Sequence, residues 1–440
     1  MCQRGACSAY GTGGLEGVSM KLTLAIHSVN DARTGSGTRL DGGMLTVDVD
    51  ELRDAVLQDR RLQSVDVEIA SPGQPCRIGV VFDILEPRAK EPGTGSDFPG
   101  LLGPMAVAGQ GTTHVLRGAA VTVVDASQEP GIASKMMEMH GDAAQASPYG
   151  NLHHIVIVPR MIPGTPRHVE LNALRLASVR AAVFLGSSAL DLEPDSVEEY
   201  ELDGPWGKAG DGLPRIAYIG QVHGHQMVVE EDERILYGSN TEGMSPLTLH
   251  PNEWLDGAVV CSYWVMRVES YFYQNHPIIL ELYKRHLAGE INFVGTVATV
   301  AASLEADRNR NCLLAAHQAR WGLGADGVVL TKYGGGAPHV DMGETARICE
   351  ALGMKTVVQV SDSSGDRRAE SAMLFSYPEV DAIVYGGGGD IGWNAAPVER
   401  VIAGTAEAGQ ALAQMTFIPA QALCGATNQQ GASKIQAMVY

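Results

Sequence analysis

From Lys21 onward the chain alternates short apolar runs with turn residues. Leu22–Ser28, Met44–Val49, Val65–Ile69, Arg77–Leu85 and Ala120–Val124 have the β-branched and apolar density of strands, with Gly, Pro and Ser clusters between them. A short helix is expected over Glu51–Gln58, and Pro87–Gly103, rich in Gly and Pro, is expected to be loop. The pattern predicts a β-rich region over residues 20–150. Met1–Ser19 carries no periodic apolar pattern and is expected to be a disordered tail ahead of Met20.

The texture changes near Asn151. His154–Val158 is β-branched, Pro166–Leu185 has Ala and Leu at helical spacing, and Arg215–Ile219 is another strand. Residues 188–212 suit an exposed connection, and residues 238–257 an ordered loop or hairpin. After Cys261 two helices are expected, Pro277–Ala288 and Gly295–Trp321. Strands at Val328–Lys332, Lys355–Val360 and Ala382–Tyr385 then alternate with helices at Gly343–Leu352 and Ala369–Ser376. The predicted fold class is α/β. A β-rich amino-terminal region precedes an α/β region over 151–260 and a Rossmann-like region over 261–440 with a mainly parallel sheet. Gly334–Gly336 and Gly386–Gly389 each follow a strand, which places a ligand crevice at the carboxyl edge of that sheet.

Charge and cysteine usage narrow the function. The formal net charge of -19 over 440 residues disfavours nucleic acid and anionic membrane surfaces. Seven cysteines, with no CxxC, supply neither a disulfide framework nor a zinc site nor a self-contained dithiol centre. No apolar run approaches the roughly 20 residues that span a bilayer. Met1–Ser19 lacks the apolar core of a signal peptide. The expected setting is cytoplasmic and reducing.

Four features compete as the seat of chemistry. The first is the polar turn of His250, Asn252, Glu253 and Asp256 leading into Val259-Val260-Cys261-Ser262. A cysteine in an apolar run is commonly a small buried hydrophobe. A cysteine after a strained peptide can instead attack the preceding carbonyl, convert the amide to a thioester and break the chain. His250 and Asn252, with Asn240 and Thr241 behind them, are the candidate donors to the Val260 oxygen, or else they cap turns. The second is Lys332-Tyr333-Gly334-Gly335-Gly336, followed by His339 and Asp341. Its backbone amides and helix start suit a carboxylate, its spacing matches no nucleotide loop, and the plainer alternative is a turn with a helix cap. Third, Gly386–Gly389 with Asp390 is a flexible turn or a second binding loop. Fourth, the histidines at 153, 154, 223, 225, 276 and 286 include no H-E-x-x-H, so no metal site is expected. Gly186-Ser187-Ser188 only echoes a serine-hydrolase elbow.

The order of segments resembles the proprotein of the substrate-specific component B of glycine/sarcosine/betaine reductase. The resemblance is carried by Lys21–Asn30, Val67–Gly73, Thr113–Ala120, the run His250–Cys261, and Cys424–Asn428, which together span nearly all of residues 21–440. It implies that the chain cleaves itself between Val260 and Cys261 and that Cys261 becomes a pyruvoyl group. That group would form an imine with a small amino-acid substrate and activate its C–N bond for reductive deamination. It also implies a hetero-oligomer, in which a partner subunit supplies a selenocysteine or cysteine nucleophile, in keeping with the lack of a redox cysteine pair here. Lys332 and Gly334, Gly335 and Gly336 are the expected carboxylate contacts, with His339 and Asp341 as an acid–base pair. Two alternatives remain open. One is a pyruvoyl-dependent decarboxylase, although those usually cleave before serine and are much smaller. The other is a non-catalytic ligand-binding or assembly subunit with Cys261 intact.

Overall fold

Met20–Ser28 runs between Ser196–Leu202, antiparallel to it, and Gly111–Arg117, parallel to it, and Arg88–Lys90 completes a four-stranded sheet. A second sheet orders Leu62–Ala70, His153–Met161, Ala119–Val124 and Val81–Leu85. The computed structural model describes residues 20–128, 135–202, 210, 212–223, 233–241, 243–263, 268–302, 304–332, 334–362, 377–388, 391–427 and 430–431. The expected tail and the expected helix at Ala369–Ser376 lie outside them. Every residue of Val81–Leu85 and Ala119–Val124 is buried, as their unbroken apolar runs require. The helix Arg167–Gly186 packs across both strands.

The third large sheet orders Leu247–Leu249, Asn292–Val300, Arg215–His223, Gly327–Thr331, Lys355–Asp362 and Ala382–Gly388. The last five are parallel to one another, and the short first strand is antiparallel. Among the parallel five, the first in sequence, Arg215–His223, lies between the second and the third. The strand order therefore reverses beside it, which is where open parallel sheets leave a crevice at their carboxyl ends. The sheet draws strands from both sides of Cys261. The chain is thus a mixed α/β protein. No helix among the described residues is long and apolar enough to cross a membrane.

Several local expectations change. Gly295–Trp321 is not one helix. Asn292–Val300 is a fully buried strand, and the helix is Glu305–His317. Val294, Thr296, Val297, Thr299 and Val300 are β-branched, and a slot between two sheet neighbours outweighs the helical tendency of the alanines. Arg77–Leu85 divides into Cys76–Gly79 and Val81–Leu85, which join different sheets. Pro87–Gly103 holds the short strand Arg88–Lys90, and residues 188–212 hold the edge strand Ser196–Leu202. Its acidic, exposed face made that strand read as a connection.

Candidate active site around Cys261

The segment that enters the site is held on one side by a hairpin. Arg234–Leu236 turns through Tyr237 and Gly238, both with positive φ, into Ser239–Asn240. Val260 N donates to Ile235 O at 3.0 Å and Tyr237 N to Ala258 O at 2.9 Å, so the residues before Cys261 lie extended along the hairpin. Just beyond the cysteine, Tyr263 N donates to Glu233 Oε1 at 2.6 Å. Trp254, fully buried, donates its indole N–H to Thr296 Oγ1 at 2.7 Å and so ties the preceding short helix Pro251–Leu255 to the parallel sheet.

Cys261 is fully buried, and its atoms are engaged separately. Its backbone N donates to Ser270 Oγ at 2.8 Å. Arg175 Nη2 donates to the Cys261 carbonyl oxygen at 2.6 Å and to Sγ at 2.8 Å. Arg175 comes from the middle of the helix Arg167–Gly186 and is itself fully buried. Its Nη1 donates to Asp83 Oδ2, and Asp83 sits in the all-buried strand Val81–Leu85. Asp83 also receives Ser270 Oγ at 2.6 Å and Ser270 N at 2.9 Å. Phe82 and Tyr263 cover the guanidinium, with ring centroids 5.1 and 5.9 Å from its carbon. Burial works against the Arg175 charge, but Cys261 and Asp83 outweigh it and raise the pKa above the usual arginine value.

Chemically, this arrangement brackets the Val260–Cys261 peptide bond. A cation lies against the sulfur and favours its thiolate, which is the nucleophilic form. A hydroxyl backed by a carboxylate lies against the nitrogen that must gain a proton if the bond breaks. Neither Asp83, Arg175 nor Ser270 was singled out in the sequence. Two of them did leave a signal, since Asp83 interrupts the run from Val80 to Leu85 and Arg175 lies among the apolar positions Leu171, Leu174 and Ala182 of its helix.

The residues singled out near the bond have other neighbours. His250 caps the helix Pro251–Leu255, accepting Asn252 N on Nδ1 at 3.2 Å, with Nε2 3.3 Å from Leu202 O, and burial lowers its pKa. Asn252 donates to the carbonyls of Met20, Gly109 and Tyr200 and accepts from Tyr283. Both hold the helix leading to the bond. Asn240 pairs with Arg234 in the hairpin, and Thr241, buried, accepts Met244 N on its carbonyl.

Lys332 follows the strand Gly327–Thr331, is buried, and donates to Gly334 O at 2.6 Å. Burial brings its pKa down to about 8. Gly334 and Gly336 have positive φ, and Gly336 caps the helix Ala337–Ala351. Burial and the Lys332 charge bring His339 down to about 4. Asp341, pushed up by burial, receives Ala302 N at 3.0 Å and Arg308 Nε at 2.5 Å. Tyr333, Gly389 and Asp390 lie outside the described residues. The two clusters approach the same strand end. Gln221 Nε2 donates to Pro338 O at 2.9 Å, and Tyr273 donates to Val222 O at 3.4 Å. Burial, then Tyr218, Cys261 and Asp83, push the Tyr273 pKa well up.

Residues 20–437 match the family model of glycine/sarcosine/betaine reductase component B subunits. The glycine reductase complex component B subunits alpha and beta of Acetoanaerobium sticklandii are 29% identical over 437 residues, 96% of this chain and 100% of the relative. The sarcosine reductase complex component B subunit alpha of Peptoclostridium acidaminophilum is 30% identical over 388 residues, 87% of this chain and 89% of the relative. The betaine reductase complex component B subunit alpha of the same organism is 28% identical over 374 residues, covering 83% of this chain and 84% of the relative. No solved structure matches significantly.

Proposed function

The chain belongs to the glycine/sarcosine/betaine reductase component B family, and on that premise we propose that it is a self-cleaving proprotein whose Cys261 becomes a pyruvoyl group. The observation that carries this reading is the bracket of Arg175 on Cys261 Sγ and Ser270 on Cys261 N. In the first step Sγ adds to the Val260 carbonyl carbon and the C–N bond breaks. Val260 is then a thioester on sulfur, and Cys261 N is a free amine. The thiol loses one proton and the nitrogen gains one. Ser270, accepting from that nitrogen and donating to Asp83, is placed to relay it. Loss of the Cα proton with departure of the Val260 thiocarboxylate, then hydrolysis at the nitrogen, releases ammonia and leaves a ketone at residue 261. A second hydrolysis returns the thiocarboxylate as carboxylate and sulfide.

The residues present fit such a group. Once nitrogen and sulfur have gone, Ser270 Oγ and Arg175 Nη2 face the carbons that remain, and Arg175 Nε is buried with no partner among the described residues. A pyruvoyl ketone supplies an electrophile that takes up an amine and withdraws electrons from its C–N bond. The protein's part is to bind a small amino acid there, exclude water, and present the carbon to a selenol or thiol carried by a partner subunit. In this reading the parallel sheet is a Rossmann-like unit. Its strand-end residues Lys332, Gly334, Gly335, Gly336, His339 and Asp341 bind substrate, while His250, Asn252, Asn240 and Thr241 support cleavage. The setting is the cytoplasm, where the five described cysteines, all buried and none in a disulfide, stay reduced.

Intact mass and denaturing gels test the cleavage directly. The wild-type chain should run as two fragments divided before residue 261, and Cys261→Ala as one band, because no sulfur remains to accept the acyl group. Full-rate processing of the alanine variant would place the cut elsewhere. A single wild-type band unchanged by hydroxylamine would leave only a binding or assembly role.

A further inference from the structure

Resting on that reading, we infer that Ser270 and Arg175 are the substrate contacts, with Ser270 against the nitrogen and Arg175 against the carboxylate of an amino acid lying where the Val260 end of the cut peptide lay. The argument follows atom positions. In the uncut chain the nitrogen bonded to Cα of residue 261 lies 2.8 Å from Ser270 Oγ. After that nitrogen leaves as ammonia, a substrate amine condensing at the same carbon, with loss of one water, restores a nitrogen at the same bond. The substrate's α carbon then falls where the Val260 carbonyl carbon was, and its carboxylate lies beyond. Val260 itself departs as a carboxylate, the group that a substrate brings back.

Arg175 supplies the matching donors. Nη1 is committed to Asp83, whereas Nη2 holds Sγ and the residue-261 carbonyl. Departure of sulfur removes one of the two acceptors on Nη2, and the neighbouring Nε has no partner among the described residues. Nε and Nη2 share one edge of the guanidinium, a planar fork spaced for two carboxylate oxygens. Phe82 and Tyr263 cover the plane and fix the direction of that edge.

Capture of amines by the processed full-length protein tests this without turnover. Glycine or methylamine is offered with cyanoborohydride, and the mass of the 261–440 fragment reports what is fixed to residue 261. Wild type should capture glycine about tenfold or more over methylamine at equal free amine. Acetate should suppress glycine capture and leave methylamine capture alone. Arg175→Lys should lose about tenfold or more of the wild-type ratio of glycine to methylamine capture, whereas Lys355→Ala, at an exposed ion pair with Asp381, should keep that ratio. If Arg175→Lys does not process, the wild-type preference and its response to acetate decide alone. Equal capture of both amines by wild type, or an unchanged glycine-to-methylamine ratio in processed Arg175→Lys, overturns the assignment while leaving the carbonyl in place. A wild-type fragment that captures neither amine and still carries cysteine overturns the parent reading and this inference with it.

Discussion

Arg175 divides its guanidinium among Asp83, the sulfur and the carbonyl of Cys261, and all of these groups are buried. A buried ion pair is costly to break from one side, because the remaining charge is left uncompensated, at about 3–5 kcal/mol. Asp83→Asn keeps the shape but removes the charge and replaces with a donor one of the two oxygens that accept from Ser270 N and Oγ. It should lower the melting temperature markedly and slow cleavage, read by calorimetry and by timed denaturing gels. An unchanged melting temperature would mean that the pair is not ionised in the folded chain. Ser270→Ala should slow cleavage and lower stability by roughly 2–4 kcal/mol, since it removes both the contact to the scissile nitrogen and the bond to the Asp83 carboxylate. The cysteine was legible in the sequence because its neighbours form a polar turn followed by an apolar run. Its true bracket was not, because Asp83, Arg175 and Ser270 are separated by 92 and 95 residues along the chain and only packing brings them together.

Among the elements, the hairpin Arg234–Asn240 governs the approach to the cut. Its tip meets the loop at Gly100 so closely that a Cβ on Gly238 would lie 2.1 Å from Gly100 O, and one on Gly100 1.8 Å from Tyr237 O. Gly238→Ala must therefore push the hairpin away from Ala258–Val260. It should slow cleavage by more than its φ penalty of about 1 kcal/mol alone would suggest. Gly42→Ala is the control, since Gly42 has the same sign of φ with open space where the Cβ would be. Equal effects of the two substitutions on processing time would dismiss the hairpin. Elements whose pattern matched one environment were readable from sequence, as with Met20–Ser28, Arg167–Gly186 and the parallel strands after residue 327. Asn292–Val300 was not, because its apolar and polar residues follow no strict alternation, and its burial on all sides is decided by neighbours distant in sequence.

At the scale of the whole molecule, acid and cleavage probe different bonds. His154 and His276 are fully buried, and burial brings their pKa values down to about 4 and about 3. Unfolded histidine titrates near 6.5, so between those values the unfolded state binds more protons. Stability is therefore complete above about pH 6.5 and falls as the pH drops toward 4, by as much as about 3 kcal/mol for each residue. Urea titrations between pH 7 and 4 should show this slope, and His154→Gln should flatten it. Cleavage, by contrast, should leave the assembly whole. The strand Arg215–His223 belongs to the fragment before Cys261, yet its two sheet partners, Asn292–Val300 and Gly327–Thr331, belong to the fragment after it. Val260 and Val259 are buried with the same core as Phe272, Tyr273 and Phe293. Parting the fragments would strip backbone hydrogen bonds from both edges of a buried strand and expose that shared core, costs that salt does not relieve. The two pieces should co-elute at one native size in both low and high salt and separate only in denaturant. Separation in high salt alone would show that surface charge, rather than the shared sheet, joins them.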